Sequence, residues 1–211
     1  MKRRSDIGRD QFRHHYETHH APLAAPLFQF SRYRRNHLIE QAVEPGFDCI
    51  SEFWNESLDR VRTLMAGEVG QTMDEDERRF LDQAQTVGVL STPVLHGADN
   101  GTTLFLLNGP DDGRDALVAA LGDQDVGCEF LETTQVTAPA KAPAHCYAAM
   151  VRTYGETPSL PAGWSIAHKL EVSVCEFGGA KQGSARRTDS SKQTPSSASD
   201  TVPAADAVKS R

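Results

Sequence analysis

Few of the features that fix a chemistry at sight are present in this chain. Its four cysteines, Cys49, Cys128, Cys146 and Cys175, make no CxxC pair and no compact ligand spacing, which argues against a disulfide scaffold, a zinc finger or an iron-sulfur cluster. Four reduced, mostly core cysteines are expected. No run approaches the roughly 20 apolar residues of a membrane-spanning helix, and the basic start Met1-Lys2-Arg3-Arg4 is not followed by the apolar stretch of a secretory signal. A cytoplasmic protein without membrane contact is the expectation. GxGxxG, GxxxxGK[ST] and GxSxG are all missing, so a nucleotide cradle and a serine-hydrolase elbow lack motif support. Positive charge is also in deficit: the formal charge is -7 over 211 residues, which disfavours nucleic acid as a partner.

What is present divides the chain. From Lys181 to Arg211 almost every residue is small or polar, with Val202 and Val208 the only larger apolar side chains. Such a segment buries too little surface to offset its ordering entropy and reads as a disordered tail. The first 37 residues hold eight Lys/Arg against three Asp/Glu, a patch read as a solvated face around a helix start.

A first helix is expected from Gly8, with Gln11 as half of a capping box, ending before Pro22. Phe12, Tyr16 and His20 share one of its faces, with His15 and His19 at the edges. Strands follow at 30–39 and 47–54, joined by a turn at Pro45-Gly46. Alternation puts Tyr33, Arg35 and His37 on one side of the first strand and Arg34 on the other. Helices are expected at 58–66 and, from a Thr72/Glu75 capping box, at 72–81, then a strand at 87–95. The row Asp74 to Glu77 reads as a solvated N-terminal cap. The second half repeats this loosely, with strands at 103–107, 126–136, 145–154 and 168–177, a helix at 113–121, and a loop containing Pro158 and Pro161 in place of a second helix.

Lys2 to Phe12, Tyr16, His20-Ala21-Pro22-Leu23, Arg32 to His37, Gly46 to Trp54 and Arg78 to Asp82 together resemble the EthD domain, a branch of the dimeric α/β-barrel proteins. The resemblance implies an α+β fold: a ferredoxin-like βαββαβ unit over 1–97, a degenerate second unit over 98–180, and a barrel closed between them or between two copies of the chain, so a pseudo-dimeric monomer or a homodimer. The first unit lacks its opening strand, since few residues precede the first helix. The family association implies an oxidoreductase of secondary metabolism acting on a small aromatic or polyketide-like compound without a cofactor. A decarboxylase, a cyclase and a noncatalytic small-molecule binding protein are the alternatives.

His20 is the position that the EthD pattern retains, and imidazole moves protons near neutral pH; it is the first catalytic candidate. His37 and Asp48 are further catalytic candidates, Asp48 as the orienting acid of a relay. Tyr16, Tyr33 and Arg35 are candidates for holding substrate, Arg35 through a carboxylate or phenolate. Glu52 is read as a buried ion-pair partner of an arginine. His15 and His19, four apart, have chelating spacing, yet no HExxH or facial triad accompanies them, and no metal is expected.

Overall fold

Among the described residues seven strands, antiparallel wherever they pair, make one curled sheet in the order β2-β1-β7-β4-β6-β5-β3. The computed structural model describes residues 1–39, 41, 44–55, 57–137 and 147–178, without the side chains of 133–137. The strands are β1 Arg32–Leu38, β2 Cys49–Trp54, β3 Gly88–His96, β4 Thr103–Asn108, β5 Gly127–Thr137, β6 Ala149–Thr153 and β7 Ser165–Gly178. This mixed α/β architecture, carried by residues 1–179, is compatible with an α+β barrel. The expected tail lies outside the described residues.

The long β7 ties the sheet together. Its first half pairs with β4, from Glu171 opposite Thr103 to Ser165 opposite Asn108, and its second half pairs with β1, from Val172 opposite Leu38 to Gly178 opposite Arg32. At the far edge β3 pairs with β5 across bulges, and Pro93 is tolerated there because an edge strand need not donate on both sides. Beside β2, Met1 accepts from the amides of Asp48 and Cys49, while Arg3 bridges Leu81. The first four residues thus run beside β2 through an isolated bridge, and no strand precedes the first helix among the described residues.

The helices depart from expectation twice. Helix α1, Arg9–His15, does not stop before Pro22; it runs through a π-helical turn, Tyr16–His20, into α2, Ala21–Phe28. Pro22 is the second residue of α2, directly after the π turn, whose i→i+5 bonding interrupts the α-helical ladder that a proline would otherwise break. Helix α3 is Leu58–Met65, capped by the Ser57 hydroxyl, but α4 is Glu68–Glu77 and starts at Gly67 rather than Thr72. The acids expected to favour an N terminus therefore lie in its last turn, against the helix dipole, where Asp74, Asp76 and Glu77 have individual partners. Helix α5 is Arg114–Leu121.

Three apolar clusters fill the structure. One lies under α1, the π turn and α2 (Phe12, Tyr16, Phe28, Tyr33, Phe80), and one lies under α5 (Phe105, Leu107, Leu117, Leu121, Trp164). The third draws on β1, β4, β5, β6 and β7 (Leu38, Leu104, Leu131, Met150, Leu170), on the sheet face turned from the helices. Strand β1 is consequently buried on both faces, which accounts for the burial of Arg34, Arg35, Asn36 and His37 together.

Candidate active site

The π turn decides which side chains meet β1 and β2. By adding a residue to the helical repeat it turns Tyr16, Glu17 and His20 toward the sheet and α4, and such turns recur at functional sites. The expected strand register is the one observed: Tyr33, Arg35 and His37 share the helix-facing side of β1, with His37 opposite Cys49 and Arg35 opposite Ser51 on β2.

Glu17 is the centre of this side. Its carboxylate accepts from Arg35 Nε at 3.1 Å and Nη2 at 2.6 Å, and from His37 Nε2 at 2.6 Å. Burial alone would raise the Glu17 pKa, but the bonds from His37 and Arg35 outweigh it and bring it down to about 2. For His37 burial opposes the charge, yet the neighbouring Cys49 and Glu17 raise it to about 9, so the imidazolium persists at neutral pH. Its Nδ1 has no partner of normal hydrogen-bond geometry. Arg35 also donates to the Tyr33 carbonyl at 2.9 Å and lies over the Tyr33 ring at 4.7 Å.

A hydroxyl chain adjoins this trio. Tyr33 Oη donates to Tyr16 Oη at 3.1 Å, and Tyr16 Oη lies 2.7 Å from Ser51 Oγ. Burial raises both phenol pKa values, so both stay neutral.

His20 lies on the other side of Tyr16, whose ring centre is 4.9 Å from that of His20 and 5.4 Å from that of His37. His20 Nδ1 is 2.9 Å from Asp76 Oδ2, and the second Asp76 oxygen is 2.9 Å from His15 Nε2. A carboxylate only accepts, so Nδ1 of His20 carries the proton and Nε2 keeps its lone pair. Burial lowers the His20 pKa, and the bond and charge of Asp76 only partly oppose it. Two histidines flanking one tyrosine are thus set apart, one neutral and one cationic, the separation by which enzymes assign base and acid roles. A groove of about 400 Å³, lined by Asp10, Arg13, His14, Glu17, Thr18 and Cys175, reaches this cluster at Glu17.

The stretch that supplies these groups, residues 4–84, matches the EthD domain family. The chain carries an EthD domain. No curated protein and no solved structure matches it.

Within the EthD domain the structure brings together five of the six residues singled out from sequence, and leaves one apart. Asp48 does not orient either histidine: just before β2, it accepts from the Arg3 amide at 3.1 Å and Nε at 3.0 Å, and has Lys2 and Arg9 at 3.5 Å. Burial alone would raise its pKa, but the Arg3 amide and the charges of Lys2 and Arg3 bring it down. Its place is to pin the N-terminal residues to β2. The acids that do orient the histidines are Glu17 and Asp76, both missed. Asp76 reads as part of a solvated cap in the sequence because the Thr72 capping box starts its helix five residues late. Glu17 carried no signal, since an α-helical repeat puts it off the Phe12/Tyr16/His20 face.

The His15/His19 pair is stacked at 4.9 Å, with His15 on Asp76 and His19 Nδ1 on the Thr18 hydroxyl, so its nitrogens do not converge. A different triple, Glu17, His37 and Cys175, presents donor atoms within 4.8 Å of one another. Arg35 is already forked onto both Glu17 oxygens, which suits the trio to a guanidinium more than to an ion.

Proposed function

We propose that this chain is an EthD-type enzyme that takes a proton from a small aromatic or polyketide-like substrate, and that it is a cofactor-independent oxidoreductase. The observation that carries this is the opposite protonation of His20 and His37 on either side of Tyr16. His20 Nε2 is the base. Arg35 and His37 are fixed cations toward which negative charge on a phenolate or enolate develops, and preorganised charge of this kind is the largest lever available to a buried site. Tyr16 and Tyr33 supply neutral hydroxyl donors. In the oxidation the proton goes to His20, the carbanion's electron pair goes to dioxygen, and the peroxide loses water to leave a carbonyl where a methylene stood. Decarboxylation or cyclisation would use the same base and cations without dioxygen.

The tandem reading of the fold belongs to this proposal, with units over 1–97 and 98–180. The run β7-β4-β6-β5 has the strand order of one βαββαβ unit, and the pairings β3 with β5 and β7 with β1 are reciprocal exchanges between the halves. That favours a pseudo-dimeric barrel within one chain over a homodimer; the location proposed for it is the cytoplasm.

A second reading, a noncatalytic small-molecule binding protein, is favoured by the full burial of Tyr16 and Tyr33 and by the protein partners that Glu17, Arg35 and His20 already have. The test is incubation of the purified chain under air with a panel of hydroxyaromatics and 1,3-diketones, with oxygen uptake and product mass recorded beside His20→Ala. Turnover lost by at least a hundredfold in the variant, consistent with removal of a general base, supports the enzyme. Compounds retained unchanged by both proteins would support the binding protein instead.

A further inference from the structure

A second charged cluster sits on the opposite face of β1 and β2 and takes no part in the site above. Arg34, Glu52, Glu129 and Arg152 line a cavity of about 130 Å³ between the two halves of the sheet, with Pro93, Leu95 and Met150 among its apolar walls. Its cations are all matched. Arg152 donates to Glu52 Oε1, to Asn36 Oδ1 at 3.1 Å and to the Gly101 carbonyl at 3.0 Å. Arg34 is held by Glu176 at 2.9 Å and by the Asp99 carbonyl at 2.8 Å, and Arg32 by the same two acids.

Two acceptors are left over. Glu52 Oε1 is used by Asn36 and Arg152, but Glu52 Oε2 is 4.0 Å from Arg34 Nη1, beyond hydrogen-bond distance. Glu129 makes no ion pair among the described residues; the Ser91 hydroxyl is its hydrogen-bond donor, and Glu52 is the like charge beside it. Burial first, and Glu52 second, push its pKa up to about 7. Glu129 is half-buried, and the one cation that offsets its burial, Arg152, is committed to Glu52.

We propose that this cavity binds a small primary ammonium, with the Glu129 carboxylate as counter-ion, Glu52 Oε2 as second acceptor and the alkyl part against Leu95, Pro93 and Met150. An apolar cavity of about 150 Å³ holds benzene, so the ligand has about six heavy atoms at most. The charged and titratable groups that line the cavity with Glu129 are Glu52, Arg34, Arg152, Arg32, His96, Asp99 and Cys128.

The test is calorimetric titration of the full chain with n-butylammonium at pH 6 and pH 8, and at pH 7 in two buffers of different ionisation enthalpy. The cation requires ionised Glu129, so affinity is expected to rise about tenfold from pH 6 to pH 8, with proton release at pH 7. The near-isosteric Glu129→Gln is decisive: it is expected to weaken binding at least tenfold and to flatten the pH profile. The uncharged 1-butanol is expected to bind at least tenfold more weakly. Absence of binding in the millimolar range, equal binding of 1-butanol, no proton release at pH 7, or unchanged affinity in a folded Glu129→Gln would each overturn the proposal.

Discussion

Tyr16 and Leu117 hold comparable places, each a fully buried helix residue packed on the sheet of its own half, yet their surroundings share almost nothing. Under α5 the contacts are Phe105, Leu107, Leu121, Val151 and Trp164. Under the π turn, aromatic rings alternate with Glu17, Arg35, His37, His20 and Asp76. The second half shows that apolar packing is enough to seat a helix on this sheet. The polar groups of the first half are therefore not required by the architecture, and buried charge is costly where hydrophobic residues would serve. That cost is the physical reason for locating function in the first half.

The largest effect expected from breaking this difference comes at Glu17. Glu17→Ala would leave Arg35 and the His37 imidazolium without their counter-ion, and removing one member of a buried pair costs about 3–5 kcal/mol. Urea unfolding measures it; a loss under about 1 kcal/mol would mean that water entering from the groove replaces the carboxylate. In the apolar half, Leu117→Ala is expected to cost roughly 3 kcal/mol through the cavity it leaves. It should also leave the imidazole NMR signals of His20 and His37 where they were. Movement of either signal would show that the two clusters are coupled, against their separation in the structure.

These two halves were unequally legible in the sequence. The strands followed from alternation and came within a few residues, and the register that aligned Tyr33, Arg35 and His37 held because the period of two leaves only one alternative. The π turn was not legible. Pro22 reads as a stop, but the π turn just before it interrupts the α-helical ladder and accommodates it, and the added residue turns Glu17 inward. Asp76 was hidden by one wrong helix start, since Gly67 both ends α3 and caps α4. Asp48 illustrates the converse: its residue type and strand suited a relay, but only the fold shows Arg3, Lys2 and Arg9 converging on it. Pairings between distant segments, such as Glu52 with Arg152, left no local trace beyond the expectation that some arginine would be there.

The smallest of the expected effects is one of pH, and it separates the halves without a mutation. Glu17, with a folded pKa lowered to about 2, contributes stability that is complete above its ordinary value of 4.5 and is lost as pH falls through 2. His37, raised from 6.5 to about 9, contributes stability that is complete below 6.5 and is lost as pH rises through 9. The pair therefore stabilises the fold most between pH 4.5 and 6.5. Raising the pH from 7 to 9 should remove on the order of 1–2 kcal/mol, read as a fall in the urea midpoint. In His37→Gln, which cannot carry the charge, that fall should shrink to under about 0.5 kcal/mol, while Leu117→Ala should keep it in full, because Leu117 packs in an apolar cluster. If the fall persisted in His37→Gln, the titrating group would have to be sought elsewhere, and the cationic half of the proposed acid and base pair would lose its support.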